Sequence, residues 1–220
     1  RSFIPVTLEH NQSRGFDHRL ALVVEDYRHR VRAGEVRSDA ESLAVLTSLR
    51  LIAAEFKLPA AERLVQQLRA QGESVVLFSS FVAPLVLLQQ RLGGELLTGR
   101  QKPEERQMAV DRFQDGSTDL LLASYGAGGL GFTLHRARQV VLLERPWTPG
   151  DHDQAEDRCH RRGMDAQHVS HLLQLGPADR LVDGLVGSKA SRIELLMGAG
   201  RMSVERQSLP AMVARSLQDC

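Results

Sequence analysis

The chain has 220 residues, 42% of them apolar and 25% charged, and a formal net charge of +1. This composition excludes a disordered or collagen-like chain, and it leaves any nucleic-acid contact to local basic patches rather than to overall charge. Cys159 and Cys220 have neither metal-ligand nor disulfide-framework spacing, and no apolar run approaches the roughly 18 residues of a membrane span, so an intracellular setting is expected.

Arg1-Ser2-Phe3-Ile4 is no signal peptide, and a first residue other than Met points to a piece of a longer protein. Residues 1–15, with Pro5, Asn11 and Gly15, read as irregular. Phe16, Leu20, Val23, Val24, Tyr27 and Val31 recur at helical spacing over 16–33, with Gly34 as the stop. A second helix is expected after Ser38 or Asp39, turning Leu43, Leu46, Leu49 and Ile52 to one side. A third begins near Pro59 and carries Leu64, Val65 and Leu68.

The period then changes. Ser74 to Ser79 is a short apolar run of the kind buried parallel strands show. Helix over 82–92, strand over 95–98, helix from Pro103 to Phe113, and strands over 119–123 and 139–143 follow in turn. A polar helix from Gly150 to Arg162, a strand from His168 to Leu175 and a helix from Ala178 to Met197 complete the pattern, and 201–220 is a mixed tail. Alternation from 74 to 198 argues for a doubly wound parallel sheet, whose ligands lie beyond the carboxyl ends of the strands.

Gly126-Ala127-Gly128-Gly129-Leu130-Gly131 follows a strand and matches G-x-G-x-x-G, with Glu144 ending the next strand where a dinucleotide fold places its ribose acid. A parallel crossover needs a dozen or more residues, and Phe132 to Arg138 allow only about two helical turns. The glycines therefore read either as a turn without a ligand or as backbone open to phosphate oxygens.

Gln154-Ala155-Glu156-Asp157-Arg158-Cys159-His160-Arg161-Arg162-Gly163 carries the most information. Arg158 and Arg161 are three apart and share a helix face, and two guanidiniums on one face suit a triphosphate. On spacing alone, a solvated helix laced with Glu and Arg pairs fits as well.

The stretch 154–163 resembles the sixth helicase motif of the Swi/Snf-type ATPases, and its neighbours agree in order. Phe78-Ser79-Ser80-Phe81 is similar to the fourth motif, and Thr98-Gly99 with Arg106 and Phe113 to the segment after it. Ser124 to Leu134 is similar to the fifth motif, and Trp147-Thr148-Pro149 to the family's Trp-Asn-Pro turn. The resemblance covers about residues 42–198. It implies a second RecA-like lobe over 36–200, a parallel sheet flanked by helices, with 1–35 as a helical linker or trailing end of a first lobe and 201–220 as a tail.

It further implies that Arg158 and Arg161 form the finger pair reaching ATP across a cleft between lobes, with Gln154, Gly129 and Gly131 beside the nucleotide. Ser79, Ser80, Gly99 and Ser124 would lie near a double-stranded DNA backbone, and Trp147 where motion and hydrolysis couple. Arg100, Lys102, Arg106, Arg136 and Arg138 are the local cations available to phosphates. Thr133, where many members have Asn, is more like the branch with DNA-annealing helicases and implies fork or repair work. Arg162, Met164 and Glu144 also depart from the family's usual residues.

No G-x-x-x-x-G-K-[ST] loop and no Asp-Glu-x-His box occur, and Gly187-Ser188-Lys189 lacks the upstream Gly and has Ala190 after Lys. ATP and Mg²⁺ would then be held mainly by a first lobe upstream of Arg1. Three functions result: a motor-ATPase lobe on DNA, a dinucleotide-binding oxidoreductase domain built on Gly126 to Gly131, and a non-catalytic scaffold.

Overall fold

A computed structural model of the chain describes residues 2–35, 39–127, 132–146, 154–155, 157–159, 169–175 and 179. The chain divides into two compact units, one of residues 1–6 and 57–174, the other of residues 7–56 and 175–220. Among the described residues no helix is long and apolar enough to cross a membrane.

The sheet unit follows the alternation of the sequence. Its strands are β1 (Ser2–Pro5), β2 (Val75–Ser79), β3 (Glu95–Leu97), β4 (Leu120–Ser124), β5 (Gln139–Leu142) and β6 (Val169–Gln174). They form a six-stranded sheet in the order β1-β6-β5-β2-β4-β3, and every pairing is parallel. All residues of β2 and β4 are buried, as expected for central strands covered on both faces. This parallel sheet flanked by helices is the fold expected from the sequence.

Helices α3 (Val82–Leu92) and α4 (Pro103–Gln114) are the crossovers into β3 and β4. Pro103 opens α4, where its missing N–H costs nothing, and Glu105 reaches back to the Lys102 amide at 2.9 Å. One face of the sheet contributes Val76, Phe78, Leu121, Ala123, Val140 and Leu142 to a core that α4 completes with Ala109, Val110 and Phe113. Leu77, Leu122 and Val141, at alternate strand positions, are buried on the other face.

Gly93 and Gly94 turn the chain from α3 into β3 with φ of 71° and 87°. A Cβ on Gly94 would stand 2.7 Å from the Leu120 carbonyl oxygen, whereas one on Gly93 would meet nothing within 4 Å. Gly94→Ala is therefore expected to cost about 2 kcal/mol or more in urea unfolding, and Gly93→Ala only about 1 kcal/mol.

Three features differ from the sequence reading. Residues 2–5 are not irregular but form β1, an edge strand pairing β6, and Pro5 is tolerated because an edge strand leaves one side of its backbone unpaired. The second and third helices are one, α2 (Asp39–Ala70), with Pro59 inside it. An interior proline costs about 3 kcal/mol, and the burial of Leu58, Ala61, Val65 and Leu68 along the next turns outweighs it. Leu46, Leu49 and Ile52 are buried as expected, but Leu43 is 41% exposed.

In the other unit, α1 (His10–Arg32) starts a turn and a half earlier than its apolar spacing suggests, because Glu9 and Gln12 form a capping box. Phe16 meets Phe56 edge to face at 5.3 Å, and Arg19 pairs with Glu55 at 2.6 Å. The helix expected over 178–197 and the tail after 200 lie outside the described residues, apart from Asp179.

Candidate functional site

The register of the sheet brings the singled-out residues to one edge. Ser79 is level with Ser124, Phe78 with Leu142, and Leu97 with Ala123, so Thr98, Ser124, Ser79 and Glu144 all lie at the carboxyl ends of their strands. This is the edge at which doubly wound sheets hold ligands.

Three strand-end loops are tied together there. The Glu144 carboxylate, 2% exposed, accepts from the Ser79 hydroxyl at 3.1 and 3.3 Å and from the Ser80 amide. Ser79 Oγ in turn accepts from the Phe81 amide at 3.0 Å. The Tyr125 amide donates to the Ser79 carbonyl at 3.2 Å, and the Tyr125 hydroxyl donates to the Glu144 carbonyl at 2.7 Å. The Tyr125 ring stacks on Phe78 with centroids 5.6 Å apart. A buried carboxylate is costly unless hydrogen-bonded, and these donors offset its desolvation.

The exit from the glycine turn is clamped as well. Gln114 Nε2 donates to the Thr133 carbonyl at 2.7 Å, while its Oε1 accepts from the Arg136 amide at 3.2 Å. Arg136 Nη1 donates to the carbonyls of Phe113 and Thr118 at 2.9 and 2.7 Å, and its guanidinium lies 5.6 Å from the Phe113 ring centroid. Leu134, held between these anchors, donates its amide to the Arg158 carbonyl at 2.8 Å.

Gln154, Ala155, Asp157, Arg158 and Cys159 are helical. Ala155 and Cys159, four apart, are buried in the core cluster, whereas Gln154 and Asp157 are exposed. Arg158 lies between, half-buried. Its Nη1 is buried and has no hydrogen-bond partner, and burial lowers the guanidinium pKa from its ordinary value. A charged donor in this state is stabilised by an anion, and a phosphate oxygen suits the guanidinium fork. Among the described residues no group of three His, Cys, Asp or Glu side chains could hold a metal ion.

The structure separates the sequence candidates. Arg158 and Gln154 are one helical turn apart on the same face. Ser80 and Gly99 are exposed at the strand-end edge. Ser79 and Ser124, read as lying against a DNA backbone, are buried, 0% and 8% exposed. The Ser79 hydroxyl is committed to Glu144 and Phe81, and Ser124 Oγ accepts from the Ala127 amide at 3.3 Å, so both hold loops rather than face a ligand. Arg136, read as a cation for phosphates, is spent on Phe113 and Thr118. Arg161, Gly129, Gly131 and Trp147 lie outside the described residues.

The dinucleotide reading is corrected by two observations. Phe132 to Arg138 contain no helix to carry a pyrophosphate, and the Glu144 carboxylate binds Ser79 and Ser80 rather than standing open to ribose hydroxyls. The organising roles of Glu144, Tyr125, Gln114 and Arg136 were missed. Only Glu144 carried a signal: a carboxylate directly after the apolar run of 140–143 must be bonded within the fold.

Comparison with known proteins matches residues 57–163 to the helicase conserved C-terminal domain family. The chain is 36% identical over 121 residues to human chromodomain-helicase-DNA-binding protein 7, a match covering 52% of this chain and 4% of that protein. The chain thus spans only a small part of the relative's length. The crystal structure of the C-terminal part of the Fun30 ATPase domain is 16% identical with a TM-score of 0.69, covering 99% of this chain and 97% of that one. The Sulfolobus solfataricus SWI2/SNF2 ATPase core in complex with double-stranded DNA is 20% identical with a TM-score of 0.67, covering 90% of this chain and 46% of that one.

Proposed function

We propose that this chain, whose residues 57–163 match the helicase conserved C-terminal domain, is the arginine-finger half of a Swi/Snf-type, ATP-driven translocase on double-stranded DNA. The observation that carries this reading is Arg158: a half-buried guanidinium with an orphan Nη1, on a helix bonded at the Arg158 carbonyl to the segment leaving the glycine turn. The Sulfolobus core, described as bound to double-stranded DNA, supports the choice of substrate, and this chain covers 46% of it, which supports a first lobe as the missing half.

ATP, when bound, supplies the phosphoryl group that passes to water. Arg158, with Arg161, neutralises charge developing on that group, and Gln154 orients the helix beside it. The backbone at Gly129 and Gly131 meets the ribose and phosphate edge, since glycine presents amides without a side chain in the way. Mg²⁺ and most of the nucleotide are held by the first lobe, in keeping with the missing phosphate loop and acid box. Closure of the two lobes brings Arg158 in, and opening withdraws it.

Ser80, Gly99 and the cations Arg100, Lys102 and Arg106 face the DNA backbone, while Ser79 and Ser124 shape the loops that present it. Arg138, whose amide bonds the Ser74 carbonyl at the amino ends of β5 and β2, lies at the opposite edge of the sheet and is not part of this face. Contacts of this type carry no sequence information and weaken with salt. Trp147 couples this motion to hydrolysis, and the biological setting is DNA remodelling or repair.

The test is a steady-state ATPase assay with and without duplex DNA. The 220-residue chain alone is expected to show no hydrolysis above background, and the protein carrying both lobes a DNA-stimulated rate. Turnover by the isolated chain overturns the division of labour. A two-lobed protein that neither hydrolyses ATP nor binds duplex supports the scaffold instead, and tight NADH binding would revive the oxidoreductase.

A further inference from the structure

The ring of hydrogen bonds at the strand ends joins three segments to which the proposed motor gives different work. Ser79-Ser80-Phe81 leads to the exposed Ser80 on the DNA side. Tyr125 immediately precedes the glycine turn, and Glu144 opens the connection to the arginine helix. Each pair of segments shares a bond: Glu144 with Ser79 and Ser80, Tyr125 N with Ser79 O, and Tyr125 Oη with Glu144 O.

We infer that Glu144 is a positioning residue that couples the DNA-side loop after β2 to the nucleotide-side loops after β4 and β5. The inference rests on the proposed motor function and deepens it. Both oxygens of the Glu144 carboxylate act as acceptors. Oε1 takes the Ser80 amide, and Oε2 takes the Ser79 hydroxyl at 3.1 Å. Ser79 Oγ accepts from the Phe81 amide and gives its one proton to the carboxylate, whose second oxygen lies beside the one holding Ser80. A shift of the 79–81 loop on meeting a DNA backbone therefore pulls on Glu144 directly. Through the Glu144 carbonyl it reaches Tyr125 and the start of the glycine turn. Small displacements pass through such a junction because Ser79 and Glu144 at its centre are buried and close-packed, with little slack to absorb them.

Glu144→Gln separates coupling from support. It keeps the volume and one acceptor oxygen for Ser80, but turns an NH₂ donor on Ser79. Tyr125→Phe is the second variant: it keeps the stack on Phe78 and removes the bond to the Glu144 carbonyl. Both are made in the two-lobed protein and assayed for ATP turnover without DNA and with saturating duplex. For Glu144→Gln, turnover without DNA is expected to stay within about twofold of wild type while the stimulation by DNA falls about fivefold or more. Tyr125→Phe is expected to move the same ratio less. Loss of both rates in proportion overturns the inference, because a merely structural role lowers them together. Unchanged stimulation in both variants also overturns it, and if Glu144→Gln does not fold, Tyr125→Phe decides. A wild-type protein without DNA stimulation sinks the motor reading and the coupling with it. A stimulated wild type with unaffected variants sinks the coupling alone.

Discussion

Arg158→Ala is expected to lower ATP turnover in the two-lobed protein by about 10³–10⁵-fold, the range measured for removal of an arginine finger. The size follows from the environment of the group. Arg158 Nη1 is buried without a partner, so the guanidinium is kept partly dry, and there its charge acts on a phosphoryl group more strongly than in water. Arg158→Lys is not expected to restore the rate, since an ammonium lacks the planar fork. Stability should change little or rise slightly, because truncation removes a desolvated charge and leaves the Arg158 carbonyl free to accept from Leu134. Steady-state turnover and thermal unfolding on the same samples check both halves. A wild-type rate in Arg158→Ala overturns the finger assignment, and Arg161→Ala is expected to behave like Arg158→Ala.

Phe113→Ala is expected to destabilise the sheet unit by about 3–5 kcal/mol, read as a drop in the urea midpoint by far-ultraviolet circular dichroism. Phe113 is fully buried on α4 in the core beneath β3 and β4, and its ring carries the Arg136 guanidinium at 5.6 Å. Truncation opens a ring-sized cavity and takes away the face on which Arg136 rests. Arg136 and Gln114 hold the segment 133–136, which bonds the arginine helix through Leu134. The lesion therefore spreads toward Arg158 without touching it. Phe113→Leu, which refills most of the volume, should recover most of the loss. A midpoint within experimental error of wild type in Phe113→Ala would show that α4 is not the support described.

What the linear order of residues determined by itself is local and periodic. The apolar runs at 75–79 and 120–124, the helix over 82–92 and the proline opening α4 were legible because each needs only neighbours a few residues away. The motif order from Phe78 to Gly163 was legible for the same reason, and it pointed to the family. Tertiary structure alone decided the rest. β1 became a strand because β6 offers it an edge, and Pro59 stayed inside α2 because burial of the next turns outweighs a lost hydrogen bond. Ser79 and Glu144 meet across 65 positions, and Leu134 meets Arg158 across the whole of β5 and the loop beyond. No local pattern reports such a contact: whether a hydroxyl faces a ligand or a buried carboxylate depends on which strand lies beside it, and strand order is set by the packing of the entire sheet.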